Sequence, residues 1–107
     1  MGFFFGKDIF SVPVNGKSRM KTLAHGRDLM ICSLSFDEGG MGPSHSHRNT
    51  QITAVLSGRF EFTLDGDTAV LAAGDSVYVA PNAEHSLICL EKGEILDIYA
   101  PQMEEYE

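Results

Sequence analysis

Positive charge is scarce in this chain of 107 residues: eight lysines and arginines stand against fifteen aspartates and glutamates, for a net charge of −7 and a pI near 4.9. A protein that grips nucleic acid needs a basic face for the phosphates, so that class is excluded. Part of the negative charge is a terminal run, Glu104, Glu105 and Glu107, read as a solvated tail. Cysteine is also scarce. Two residues, Cys32 and Cys89, cannot build a disulfide framework and are expected to be reduced core residues. No apolar run approaches the roughly 18 residues of a spanning helix, and the mean hydropathy of −0.06 fits neither a membrane protein nor a disordered one. Phe3, Phe4 and Phe5 form a run too short for a signal-peptide core, ended by Lys7 and Asp8, so the expected location is the cytoplasm. Low-complexity segments, solenoid-period repeats and convincing helical periodicity are all missing; the stretch 102–106 has room for one helical turn at most.

What the chain does contain is short strands separated by glycine turns. In Arg59-Phe60-Glu61-Phe62-Thr63-Leu64 the apolar residues alternate with polar ones, which predicts one buried and one wet face. Asp65-Gly66 then joins this run to Asp67–Leu71, a strong signal for a two-residue hairpin turn. Further strands are predicted over 18–24, 29–36, 51–57, 76–80, 84–91 and 94–100. Breaks fall at Gly39-Gly40, Gly42-Pro43, Gly58, Ala73-Gly74-Asp75 and Pro81-Asn82. The fold class is all-β, a single domain. Residues 1–15 are read as an N-terminal arm, 16–101 as the barrel and 102–107 as the acidic tail. Phe3, Phe4, Phe5 and Phe10 are too apolar for a free arm and are expected to cover a sheet edge or a second subunit.

Three of the four histidines fall into a two-part pattern. Gly39 stands six residues before His45; His47, Gln51 and Gly58 follow, and later come Gly74, Pro81 and His85. On extended backbone His45 and His47 point to one face. Neutral imidazole is the commonest metal ligand. Gln51 adds a carbonyl oxygen and His85 a third imidazole, which together predict a metal site inside a small β-barrel. Donors of these types do not choose among Zn, Ni, Mn, Fe and Co. A glutamine brings no charge, so a divalent ion here keeps its full 2+ charge, which favours Lewis-acid chemistry. His25 lies outside the pattern and is read as a surface or turn histidine. Cys89 shares strand parity with His85 and Leu87, on the side that would line a cavity.

The spacing from Gly39 to Cys89 resembles the cupin superfamily, whose two motifs set His-x-His, a carboxylate and a late histidine around one metal. The resemblance implies a double-stranded β-helix, or jelly-roll barrel, with a divalent transition metal on His45, His47, Gln51 and His85. Gln51 stands at the usual glutamate position and Cys89 where the second motif usually ends in asparagine. Asn82 replaces the glycine of a Pro-x-Gly turn, a change that positive φ still permits.

The flanks, Lys21–Gly26 and Asp97–Gln102, resemble one group in particular: the pectin-degradation cupins of the KdgF type, which help linearise unsaturated uronate sugars. This resemblance implies a metal-dependent isomerase or lyase, with Asp97 moving a proton and Tyr99 contacting the sugar. The gap between His47 and Gln51 is one residue shorter than in that group. Its arginine, suited to a substrate carboxylate, aligns with Met103; Arg27, Arg48 and Arg59 are the cations available in its place. The expected partners are a small-molecule substrate and a second copy of the chain. Three readings compete with the first: a sugar- or metal-binding cupin without catalysis, an Fe(II) oxygenase, and a Lewis-acid cyclase of aromatic polyketides.

Overall fold

The computed structural model describes residues 2–103. The acidic run Glu104, Glu105 and Glu107 lies outside them, as does most of the stretch expected to form a terminal turn. A short 3-10 turn, Gly6–Asp8, precedes eight strands: β1 Val12–Asn15, β2 Ser18–Gly26, β3 Leu29–Phe36, β4 Met41–His45, β5 Thr50–Leu64, β6 Asp67–Ala72, β7 Ser76–Val79 and β8 His85–Ala100. No helix among the described residues is long and apolar enough to cross a membrane.

All the pairings are antiparallel, and β5 and β8 are the two long strands that hold the rest. Their halves belong to different layers. Residues 93–99 of β8 pair with β3, which continues through β2 to β1, while residues 50–57 of β5 pair with β8 and with β7. The other halves, 85–91 of β8 and 59–64 of β5, pair with each other and carry β4 and β6 on their flanks. The result is an all-β jelly roll whose interior lies between the two layers. Phe36, Val55, Phe60, Phe62, Leu87 and Ile95 fill much of one core; Met20, Met30, Cys32, Tyr99 and Met103 form a second.

The sequence reading placed a turn at Gly58 and divided β8 between Glu91 and Glu94. Both strands instead run through. Register shifts between Val55 and Phe60 let β5 bend, and the bend flips its inward parity: Gln51, Thr53 and Val55 are buried on one side of it, Phe60 and Phe62 on the other. Two glycines make the corner possible. A Cβ on Gly58 (φ +78°) would sit 2.5 Å from the Glu91 and Lys92 carbonyl oxygens, and one on Gly93 would overlap the Ser57 carbonyl. Gly93→Ala is therefore expected to cost about 3 kcal/mol or more of unfolding free energy in a urea melt. Gly66→Ala meets no neighbouring atom and is strained only by its φ of +88°, so its expected loss is about 1–2 kcal/mol.

The chain-breaking expectation at Gly42-Pro43 also needs correction, because both residues lie inside β4. Pro43 is tolerated there because β4 is an edge strand whose register with β8 shifts between Gly42 and His45. Asp65-Gly66 forms the expected hairpin turn, with φ values of +48° and +88°. Asn82 takes the positive φ that its turn requires, +68°.

Candidate metal centre and cavity

His45 ends β4, His47 lies in the following loop, and His85 opens β8 directly opposite His45. Two backbone features bring them together. The β4–β8 register pairs His45 with His85, and the Asn82 N–H donates to the His47 carbonyl at 2.7 Å, tying the two halves of the pattern. One ring nitrogen from each of the three lies within 4.8 Å of the other two. The three rings form a group able to hold a metal.

The second nitrogen of each ring is fixed by backbone. Nδ1 of His45 stands 2.9 Å from the Pro43 carbonyl, that of His47 3.0 Å from Asn49, and that of His85 2.9 Å from Ala83. A carbonyl only accepts, so each neutral ring carries its proton on Nδ1 and keeps a lone pair on Nε2. His85 Nε2 is buried and has no hydrogen-bond partner among the described residues. Burial also lowers the pKa of His85, keeping that ring neutral and able to donate its lone pair. An orphaned, deprotonated nitrogen beside two more imidazoles fits a bound cation.

Gln51 sits next to this group in β5, 4 % exposed. Its amide nitrogen donates to Thr53 Oγ at 2.8 Å and reaches Asp97 Oδ1 at 3.4 Å, which turns its carbonyl oxygen towards His47 Nε2, 2.9 Å away. Two lone pairs at that distance call for a shared positive charge, either an ion beside both atoms or a proton on the ring. The same network continues to the acid. Thr53 Oγ donates to Asp97 Oδ1 at 2.5 Å and Tyr99 Oη donates to Asp97 Oδ2 at 3.1 Å. Cross-strand register explains the cluster, since Gln51 faces Tyr99 and Thr53 faces Asp97. Burial pushes the Asp97 carboxyl above its ordinary pKa, and the hydrogen bonds from Thr53, Tyr99 and Gln51 pull the other way.

Asp97 and Tyr99 are both buried, on one face of β8. With His45, Gln51 and His85 they line a cavity of about 130 Å³. Thr53 has no place in the sequence reading, although its strand parity with Gln51 points to it. Other expectations fall elsewhere. Cys89 keeps the parity of His85 but lies deeper, in the core with Phe36 and Phe60, and its Sγ donates to the Glu91 carbonyl at 3.2 Å. Met103 packs with Met20, Met30 and Tyr99. None of the three arginines lines the cavity: Arg59 pairs with Glu91 at 2.9 Å on the surface, Arg27 with Asp28 at 3.8 Å, and Arg48 is exposed. His25, in β2, stacks on Phe4 with ring centroids 5.1 Å apart, away from the other three.

Both cysteines are free and buried. Burial pushes the Cys32 thiol up to about 11, from an ordinary value of 9.0. Its folded pKa is the higher one, so the unfolded chain loses its proton first as pH rises. The Cys32 contribution to stability is present below pH 9 and is expected to fade between pH 9 and 11 in thermal melts. Iodoacetamide should label it at pH 8 only after unfolding.

Comparison with known proteins supports the same architecture. The cupin domain family matches residues 33–99. The pectin degradation protein KdgF of Dickeya dadantii is 30 % identical over 90 residues, 82 % of each chain. Quercetin 2,3-dioxygenase of Bacillus subtilis is 33 % identical over 85 residues, 78 % of this chain but 23 % of that larger protein. Among solved structures, an RmlC-like cupin from Shewanella frigidimarina superposes with a TM-score of 0.94 at 32 % identity, covering 98 % of this chain and 95 % of that one. KdgF from Halomonas sp. also gives 0.94, at 28 % identity, covering 100 % and 99 %. The double-layered jelly roll, the convergent histidine group and the match across most of the barrel lead to one conclusion: this chain belongs to the cupin family.

Proposed function

We propose that the protein is a metal-dependent isomerase of a small oxygenated substrate, with ring opening and tautomerisation of an unsaturated uronate as the specific reaction. The observation that carries this reading is the placement of a buried carboxyl, Asp97, on the wall of the same cavity as His45 and His85, two of the three imidazoles whose nitrogens converge. His45, His47 and His85, with the Gln51 carbonyl, would hold one divalent transition ion, which when bound supplies a Lewis acid for substrate oxygens. The similarity to the pectin degradation protein supports the substrate class.

The protein's own groups account for the rest. Asp97 takes the proton of the anomeric hydroxyl as the bond from the anomeric carbon to the ring oxygen breaks. That carbon becomes an aldehyde and the ring oxygen is left as an enolate. Asp97 then returns the proton to carbon as the enolate becomes a ketone, so the sequence is an isomerisation with no oxidant. Tyr99, donating to Asp97 Oδ2, holds the carboxyl in place, and Thr53 fixes its other oxygen. Incubating zinc- or nickel-loaded protein with the unsaturated monomer from pectin lyase digests should speed the loss of its ultraviolet absorbance. A rate equal to that in buffer would sink the uronate reading.

The similarity to quercetin 2,3-dioxygenase supports a second reading, oxygen chemistry with Fe(II) at the same ligands. It requires oxygen uptake with a flavonol by iron-loaded protein. We place the protein in the cytoplasm, consistent with its two reduced thiols. It acts there as a homodimer that covers Phe3, Phe5 and Phe10, each at least 60 % exposed in the single chain.

A further inference from the structure

Beyond the metal end, the cavity has a second polar feature. Ser18, the first residue of β2, is 1 % exposed and lines the cavity, yet its hydroxyl has no hydrogen-bond partner among the described residues. Buried hydroxyls are normally satisfied, so an unsatisfied one on a cavity wall calls for an explanation. Asn15, beside it, is already engaged: its Oδ1 accepts from the Lys17 N–H and its Nδ2 donates to the Met41 carbonyl. Much of the remaining wall is apolar, with Leu34, Phe36, Leu87 and Ile95, and no lysine or arginine lines it.

We infer that Ser18 is a specificity-determining residue, whose hydroxyl binds a neutral oxygen of the substrate remote from the metal end. The ligand's chemistry follows from the wall. One oxygen lies at the histidines, an uncharged body crosses the apolar surface, and a hydroxyl or carbonyl meets Ser18. A carboxylate is excluded at that end, because it would be buried without a cation. The cavity's size, about 130 Å³, suits a body near that of a six-membered ring, since a cavity of about 150 Å³ takes benzene. In a uronate, the ring hydroxyls would face Ser18 and the carboxylate would stay out of this end.

The inference rests on the metal site proposed above, and its test separates that site from the reaction. The probes are alkyl hydroxamates of two to six carbons, each paired with its ω-hydroxy counterpart, titrated calorimetrically into zinc-loaded protein. At one or more lengths the hydroxylated probe should bind about tenfold more tightly than its plain partner. In Ser18→Ala that preference should vanish while the plain probes bind as before. The melting temperature of the variant should stay level or rise, because an unsatisfied group has been removed. A preference at no length, or one that survives in Ser18→Ala, overturns the inference. So does a fall in melting temperature, which would mean that the fold itself satisfies the hydroxyl. If even the plain hydroxamates fail to bind, the metal site fails and this inference with it. A Ser18-dependent preference without uronate turnover would leave the inference standing and remove only the proposed reaction.

Discussion

His85→Ala is expected to abolish metal retention, and with it all measurable turnover. His85 is the most enclosed of the three imidazoles, and its Nε2 is the one left buried without a partner. Residues that merely support a metal ligand cost about 10–100-fold in affinity or activity when removed, so losing a ligand should exceed that range. The ring also stacks on Phe62 at 6.2 Å between centroids. Truncation therefore leaves a cavity as well, and a loss of about 1–3 kcal/mol in the metal-free protein should accompany the loss of metal. His25→Ala is the control. It removes the fourth histidine, which stacks on Phe4 outside the site, and should leave metal content unchanged. Elemental analysis of the two variants after gel filtration distinguishes them. Equal metal in both would show that the ion, if present, is held elsewhere.

Asp97→Asn should lower turnover about 10²–10⁴-fold, the usual range for a positioned acid–base group, with the metal retained. The substitution is a clean one because the surroundings can accept an amide. Its oxygen can replace Oδ1 opposite Thr53 and Gln51, and its nitrogen can donate to a Tyr99 hydroxyl turned to accept. Burial already disfavours the charged form of Asp97, so stability should scarcely change. Asp97→Ala is different: it removes the acceptor of the Thr53 hydroxyl in the interior, while the Gln51 amide keeps its bond to Thr53, and should destabilise by about 1–3 kcal/mol. Full activity in Asp97→Asn would mean that the carboxyl only orients Gln51. A loss of metal in that variant would mean that its effect runs through the ligand.

The convergence of the three histidines was legible in the sequence because a site able to hold a metal restricts both residue type and spacing. Two histidines two apart, a glutamine and a late histidine bounded by glycine turns leave few alternatives. The same holds for the Asp65-Gly66 hairpin, where turn chemistry is local. Long-range effects were less legible. Gly58 and Pro43 read as chain breaks because glycine and proline usually punctuate strands. Gly58 instead marks a close crossing of β5 and β8, and Pro43 lies on an edge strand at a register shift. Neither neighbour is visible along the chain. Thr53 was hidden for another reason: a strand threonine is ordinary until the register sets it opposite Asp97. The parity of Cys89 was read correctly, but parity does not give depth, and its thiol lies in the core behind the cavity. Ser18 gave no signal at all, since an unpaired hydroxyl appears only when the surroundings are known.

The most direct test of the central claim is the metal content of the purified wild-type protein, measured by mass spectrometry of the elements before and after dialysis against excess zinc. About one divalent transition ion per chain is expected, lost in His85→Ala and unaffected in His25→Ala. A wild-type protein that carries no ion and takes up none on dialysis would contradict the account.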